Sequence, residues 1–113
     1  MSTAIGKQAE AAVVKYLRSH RHKIIEQNWR TRWCEIDIIS SEGNSIYFTE
    51  VKYRDNDHYG SGLDYITPRK LKQMHLAAEF WLNHKTKTDV DYHLSAAEVS
   101  GPDFRVTTWL PDC

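Results

Sequence analysis

The sequence predicts a small α/β (α+β) domain with helices packed on a central sheet, in the order helix, three strands, helix, one or two strands. Two stretches space their apolar residues by three and four, as one face of a helix does, and two others alternate or concentrate β-branched and aromatic residues, as strands do. The chain has 113 residues, of which 41% are hydrophobic. That suffices for one compact core, so residues 1–113 read as a single domain.

Ser2 or Thr3 caps the first helix, because a hydroxyl ahead of a periodic apolar run accepts hydrogen bonds from first-turn N–H groups that have no partner within the helix. Ile5, Ala9, Ala12, Val13, Tyr16 and Leu17 form its stripe and carry it to about residue 19. Glu10 falls at the edge of that stripe beside Leu17 and can look inward, whereas Lys7, Lys15 and Arg18 lie farther out. Residues 22–28, with Ile24 and Ile25, make a short strand, followed by a basic connection at Arg30, Thr31 and Arg32. The run from Cys34 to Ile39 alternates as a strand, and Ser45 to Arg54 reads as a longer one. Between them Gly43-Asn44 is a two-residue hairpin loop, glycine supplying the positive φ that a II′ turn needs. Residues 55–66, with Tyr59, Gly60 and Gly62, read as a loop that either touches substrate or only connects. Thr67-Pro68 opens a second helix, with threonine as cap and proline at the first helical position. Its stripe is Leu71, Met74, Ala78, Trp81 and Leu82, and strands follow around 90–99 and 104–110.

The 15 basic and 15 acidic residues cancel, which argues against a strongly basic coat for nucleic acid. Counted by segment, however, residues 1–33 carry seven basic and two acidic groups, 34–66 two and seven, 67–88 five and one, and 89–113 one and five. Neutrality is therefore a sum of alternating blocks, which chance also produces on charged surfaces. No apolar run approaches the roughly 20 residues that span a bilayer, and the first residues hold no signal-peptide core. A cytoplasmic location without a membrane partner is the expectation. Cys34 and Cys113 make neither a disulfide framework nor a zinc spacing, so reduced thiols are expected.

The hairpin carries the chemistry. With Gly43 and Asn44 as the loop, Asp37 faces Glu50 and Glu35 faces Lys52, and opposed residues project from one side of a sheet. Two carboxylates and an amine are thus brought together. Like charges directly opposed are unfavourable unless compensated, and a divalent metal compensates them. Carboxylate oxygens suit Mg²⁺ or Mn²⁺, which complete their shells with water and phosphate oxygens and can activate water against a phosphodiester. Lys52 beside such an ion would orient the attacking water and stabilise developing charge. The competing reading is a salt-bridged polar face open to solvent. With seven Glu and eight Lys, a Glu-x-Lys triplet arises by chance about half the time, so only the combination with Asp37 and the mid-spaced turn is informative.

These residues resemble the signature of the restriction-endonuclease-like PD-(D/E)XK nucleases. More closely, the chain resembles the YraN-like family, bacterial proteins of undetermined role regarded as candidate endonucleases. The resemblance spans about residues 5 to 93 and rests on Gly6, Glu10 and Ala11, Asn28-Trp29-Arg30, Glu35-Ile36-Asp37-Ile38-Ile39, Phe48-Thr49-Glu50-Val51-Lys52-Tyr53-Arg54, Gly60-Ser61 and Thr67-Pro68-Arg69-Lys70. It implies a restriction endonuclease-like fold, a central mixed β-sheet flanked by helices in the order α-β-β-β-α-β(-β). It also implies a metal-dependent endonuclease acting on DNA phosphodiesters, on branched or structured DNA in the manner of Holliday-junction resolvases. In that reading Asp37 and Glu50 hold Mg²⁺ or Mn²⁺, Lys52 is the motif lysine, Glu10 is the first-helix acid, and Glu35 stands behind them as a partner of Lys52. The chain departs from the family pattern at Ala9 and Cys34, where glycines are usual, and at Asp89-Val90-Asp91, where an arginine is lost. The alternative is a non-catalytic nucleic-acid-binding module on the same fold, and a third class is a protein-interaction scaffold. RNA stays open as substrate, and so does a homodimer, since cutting both strands of a junction symmetrically needs two active sites.

Lys7, Lys15, Arg69, Lys70 and Lys72 are candidates for a phosphate-contacting rim, and Arg30, Arg32 and Arg54 for further nucleic-acid contacts, the alternative being plain solvated faces. Trp29 and Trp33, interleaved with the two arginines, offer base stacking, although core packing is the favoured reading. The six histidines do not converge on a metal-ligand spacing, His20 and His22 being two apart.

Overall fold

The computed structural model describes residues 3–55, 65–85 and 90–113. Its elements follow the expected order: α1 (Ala4–Ser19), β1 (Lys23–Arg30), β2 (Glu35–Glu42), β3 (Ser45–Arg54), α2 (Pro68–Lys85), β4 (Asp91–Ser100) and β5 (Arg105–Leu110). Most of the 55–66 connection, with Tyr59, Gly60, Ser61 and Gly62, lies outside the described residues, as do Ser2 and Asp89. Thr3 caps α1, its Oγ1 accepting from the Gly6 N–H at 2.9 Å. Thr67 does the same for α2, accepting from Lys70 N–H at 3.1 Å. β1 and β2 are longer than the apolar pattern indicates. Their ladder runs out to Arg30 opposite Glu35, where opposite charges meet across the pair and support two further rungs.

The five strands form one mixed sheet in chain order. All neighbours are antiparallel except β3 and β4, which run parallel from Ser45 opposite Asp91 to Arg54 opposite Ser100. Parallel neighbours need a crossover, and α2 supplies it. The β2–β3 turn has Gly43 at φ 60°, while Asn44 is not among the positive-φ residues, as a II′ turn requires. Glu42 and Ser45 close the ladder behind it in the expected register, but the ladder stops at Ile38 opposite Thr49, so the expected pairs Asp37–Glu50 and Glu35–Lys52 do not form.

The two helices bury their stripes on opposite faces. Met74, Ala77, Ala78 and Trp81 of α2 pack with Ile36, Ile39, Ile46 and Phe48. Ala9, Val13, Val14 and Leu17 of α1 pack with Ile38, Ala97 and Val99. Alternation along β2 therefore breaks around Asp37, because Ile36 and Ile39 both face α2 while Ile38 faces α1. Pairing between β2 and β3 ends at the same place, at Ile38 opposite Thr49, although β2 stays paired with β1 to Glu35 and β3 stays paired with β4 to Arg54. The sheet forks there. Among the described residues no helix is long and apolar enough to cross a membrane.

Candidate active site

The fork opens a cleft of about 240 Å³ lined by Thr3, Gly6, Ala9 and Glu10 of the α1 end and by Glu35, Asp37, Glu50, Val51, Lys52 and Tyr53 of the separating strands. The four acids and the lysine singled out in the sequence therefore share one cavity. They reach it differently from a flat hairpin. Asp37 bridges the opening, its Oδ2 accepting the Val51 N–H at 2.7 Å in place of a backbone partner across the gap. Glu50 meets α2 instead, its Oε1 lying 3.5 Å from Lys70 Nζ. Glu10 enters from α1 on the other face, buried to 7% exposure as its position beside Leu17 implies.

Asn28 is the residue that sequence reasoning passed over as a site member. Its Nδ2 donates to Glu10 Oε1 at 2.8 Å. It adopts φ 51°, a left-handed conformation that asparagine tolerates better than most residues. Gln27 and Trp29 pair with Ile38 and Ile36, so Asn28 stands opposite Asp37 on the other side of β2 from Glu50. The available signal was an asparagine inside a strand, where that residue type is depleted. Tyr65 is a second addition. Lys52 Nζ lies 5.9 Å from its ring centroid, and its hydroxyl donates to Ala97 O at 3.3 Å.

The electrostatics are strained. Burial, reinforced by the negative charge of Glu50 and then of Glu10 and Glu35, pushes the Asp37 carboxyl up to about 8 despite the Val51 N–H holding it down. Burial also raises Glu50, opposed by the charge and hydrogen bond of Lys70 and by the charge of Lys52. Burial raises the Tyr65 hydroxyl as well, with Glu50 adding to it. A group of acids held this close favours a proton or another cation. Their oxygens are hard ligands, suited to Mg²⁺ or Mn²⁺. Among the described residues no three His, Cys, Asp or Glu side chains are placed to hold an ion by themselves. Asp37 and Glu50 would supply two ligands to such an ion, and the rest of its shell would have to come from water or phosphate oxygens.

The proposed basic contacts divide. Lys7, Arg30, Arg32 and Arg69 are exposed. Arg54 is not a free contact: its Nε lies 2.8 Å from Glu98 Oε2, and that carboxylate is buried in β4. An arginine held by a buried acid is poorly placed to leave for a phosphate. Lys70 belongs to the cleft through Glu50. The histidines outside the undescribed segment serve packing: His20 stacks on Tyr16, His22 meets Trp109 edge-on and Ser40 Oγ at 2.9 Å, and His93 stacks on Tyr47. Cys34 and Cys113 are free thiols.

The profile of the uncharacterised protein family UPF0102 matches residues 9–99. The chain belongs to that family. A UPF0102 protein of Vibrio parahaemolyticus is 35% identical over 102 residues, covering 88% of this chain and 84% of its own length. One from Geobacter metallireducens is 41% identical over 86 residues, covering 76% and 70%. One from Hahella chejuensis is 32% identical over 111 residues, covering 98% and 90%. The UPF0102 match, the YraN-like resemblance in other words, encloses Glu10, Asn28, Glu35, Asp37, Glu50 and Lys52 and leaves Lys7 and β5 outside it.

Proposed function

We propose that this UPF0102 protein is a metal-dependent endonuclease on a restriction endonuclease-like fold, hydrolysing DNA phosphodiesters at branched or otherwise structured sites. The observation that carries the reading is the convergence of Asp37, Glu50 and Lys52 in a cleft that opens because β2 and β3 part. A divalent cation, when bound, would polarise the phosphodiester and lower the pKa of water. Asp37 and Glu50 would hold it, and the Val51 N–H fixes the Asp37 carboxylate through its Oδ2. Lys52 donates to the attacking water and to charge developing on the phosphate oxygens. Glu10, oriented by Asn28, accepts hydrogen bonds from water on the α1 side. Glu35 lines the same cleft as Lys52 and adds negative charge to it.

The second reading, a non-catalytic nucleic-acid-binding module, is favoured by one observation. Lys70 already lies against Glu50 and supplies part of the positive charge that a metal would bring. The two readings separate in a cleavage assay on linear, nicked, flapped and four-way DNA with Mg²⁺ or Mn²⁺. The endonuclease reading expects metal-dependent products that Asp37→Ala and Lys52→Ala abolish. No cleavage of any substrate, or equal cleavage by the variants, leaves the binding module. Binding of Mn²⁺, followed by its paramagnetic resonance signal, gives a readout independent of turnover and should be lost in Asp37→Ala.

A further inference from the structure

A second cavity, of about 480 Å³, lies where β1 turns into β2 and is lined by Trp29, Arg30, Thr31, Arg32, Trp33 and Phe80. Its walls are three aromatic rings. Phe80 of α2 is the hinge between them, stacked at 6.2 Å from Trp29 and edge-on at 5.9 Å from Trp33. Trp29 and Trp33 pack one side against the α2 core cluster, so the expectation of core packing holds for part of each ring. Phe80, however, is 42% exposed. His84 packs on its ring at 4.1 Å between centroids, and the rest of that ring lies open between two half-buried tryptophans.

The turn that presents this surface is rigid. Thr31 Oγ1 accepts from the N–H groups of Trp33 and Cys34, both at 3.1 Å, and donates to Cys34 O at 2.8 Å. The Thr31 N–H adds a backbone bond to Cys34 O at 3.0 Å. Arg32 is held with its guanidinium 5.0 Å from the centroid of the Trp33 ring. The described residues lining the cavity include two arginines and no acid. Planar apolar walls with guanidinium groups at the rim complement a base attached to a phosphate backbone.

We propose that this cavity takes an unpaired base of the nucleic-acid substrate, stacked among Trp29, Trp33 and Phe80, while Arg30 and Arg32 contact the phosphates of the same strand. The inference rests on the reading that the chain acts on nucleic acid and narrows it to a substrate with a single-stranded segment beside the cut. Trp29 pairs with Ile36, the neighbour of Asp37, so the cavity lies on the order of 10 Å from the cleft, a few nucleotides along a strand. A base inside a duplex is stacked on both sides and cannot enter, whereas one at a flap, a bulge or a junction can.

The test is binding without turnover. Fluorescence anisotropy is recorded in chelator and low salt with a labelled oligothymidine strand, the same strand made abasic, and a duplex of equal length. Stacking contributes about 1–3 kcal/mol per base, so the strand with bases should bind about 5- to 150-fold tighter than the abasic one. Trp33→Ala and Phe80→Ala should bring binding of the base-containing strand down to the abasic level and leave the abasic affinity within about twofold. Arg32→Ala should weaken both strands alike. Phe80 is exposed, so its variant tests the cavity even if Trp33→Ala unfolds, which a thermal melt reports. Equal binding of base-containing and abasic strands by the wild type, or no selective loss in Phe80→Ala, overturns the inference. Because no metal is present, the outcomes are separable. Base-dependent binding without cleavage in Mg²⁺ refutes the endonuclease and keeps the cavity, and cleavage with base-independent binding does the reverse.

Discussion

Replacing Asp37 by asparagine should stabilise the metal-free protein at alkaline pH while removing its proposed chemistry. Burial, with the charge of the neighbouring Glu50, pushes the Asp37 carboxyl of the folded chain up to about 8, from an ordinary 3.8. The folded state therefore holds a proton that the unfolded chain releases near pH 4. This contribution to stability is fully present below the unfolded value and is lost as pH rises through the folded one. At about 1.4 kcal/mol per pH unit, the difference is on the order of 6 kcal/mol above pH 8 and half that near pH 6. A domain of this size has a total stability of about 5–15 kcal/mol, so the effect is large. Asparagine carries no charge, and its Oδ1 can still accept the Val51 N–H that Asp37 Oδ2 accepts at 2.7 Å. Urea unfolding followed by tryptophan fluorescence, in chelator from pH 4.5 to 9, should show the variant more stable by several kcal/mol at pH 8.5 and the two proteins converging at the acid end. Added Mg²⁺ should raise the wild type alone, by mass action on the folded state. Parallel pH profiles, or a variant less stable than wild type at pH 8.5, would refute the reasoning.

Lys52→Met should lower cleavage by about 10²- to 10³-fold in single-turnover rate while leaving Mn²⁺ affinity nearly unchanged, since the side chain stabilises charge without ligating the metal. Glu98→Ala removes the carboxylate 2.8 Å from Arg54 Nε and leaves that guanidinium without its buried acid. A loss of about 3–5 kcal/mol in urea titration is expected, with Glu98→Gln intermediate. His22 is held below its ordinary value by burial, with Glu42 opposing. Its neutral form is favoured in the fold, so the stability it contributes is present above pH 6.5 and falls as pH drops through the depressed value. The advantage of wild type over His22→Ala should accordingly be smaller at pH 5 than at pH 7.5 in thermal melts.

Much of this was legible in the sequence because it depends on short-range rules. Thr3 and Thr67 announce helix starts by cap chemistry, and Gly43 sets the hairpin by backbone freedom. Once that turn is placed, the register from Glu42 opposite Ser45 to Ile38 opposite Thr49 follows by counting. Glu10 could be turned inward from helical periodicity alone. What did not follow lies beyond the last pair of that ladder. Whether two strands stay together or part depends on what their outer neighbours hold, here β1 on one side and β4 on the other, and those pairings are long-range. The same limit hid Asn28, whose partner Glu10 is 18 positions away, and the ion pair of Arg54 with Glu98 on the parallel neighbour across a crossover helix.

The parting of β2 and β3 also gives neutral net charge a different meaning. Glu10, Glu35, Asp37 and Glu50 gather in a cleft of about 240 Å³, with Lys52 among its lining and Lys70 at Glu50. Elsewhere the sheet avoids such crowding: Arg30 stands opposite Glu35, and Arg54 holds Glu98. A ladder continued past Ile38 would bring Asp37 directly opposite Glu50, with like charges at the closest side-chain spacing a sheet allows. Opening the fork relieves that contact and gives the Val51 N–H to Asp37, yet both acids still line one cleft. Repulsion between two carboxylates thus accounts for where the sheet divides, and the division opens the cleft that the acids line. On this account Asp37→Leu, unable to accept the Val51 N–H or to repel Glu50, should let β2 and β3 close on each other. Hydrogen exchange would then show the amides of residues 50–52 better protected than in the wild type, and unchanged or weaker protection would count against repulsion as the cause of the fork.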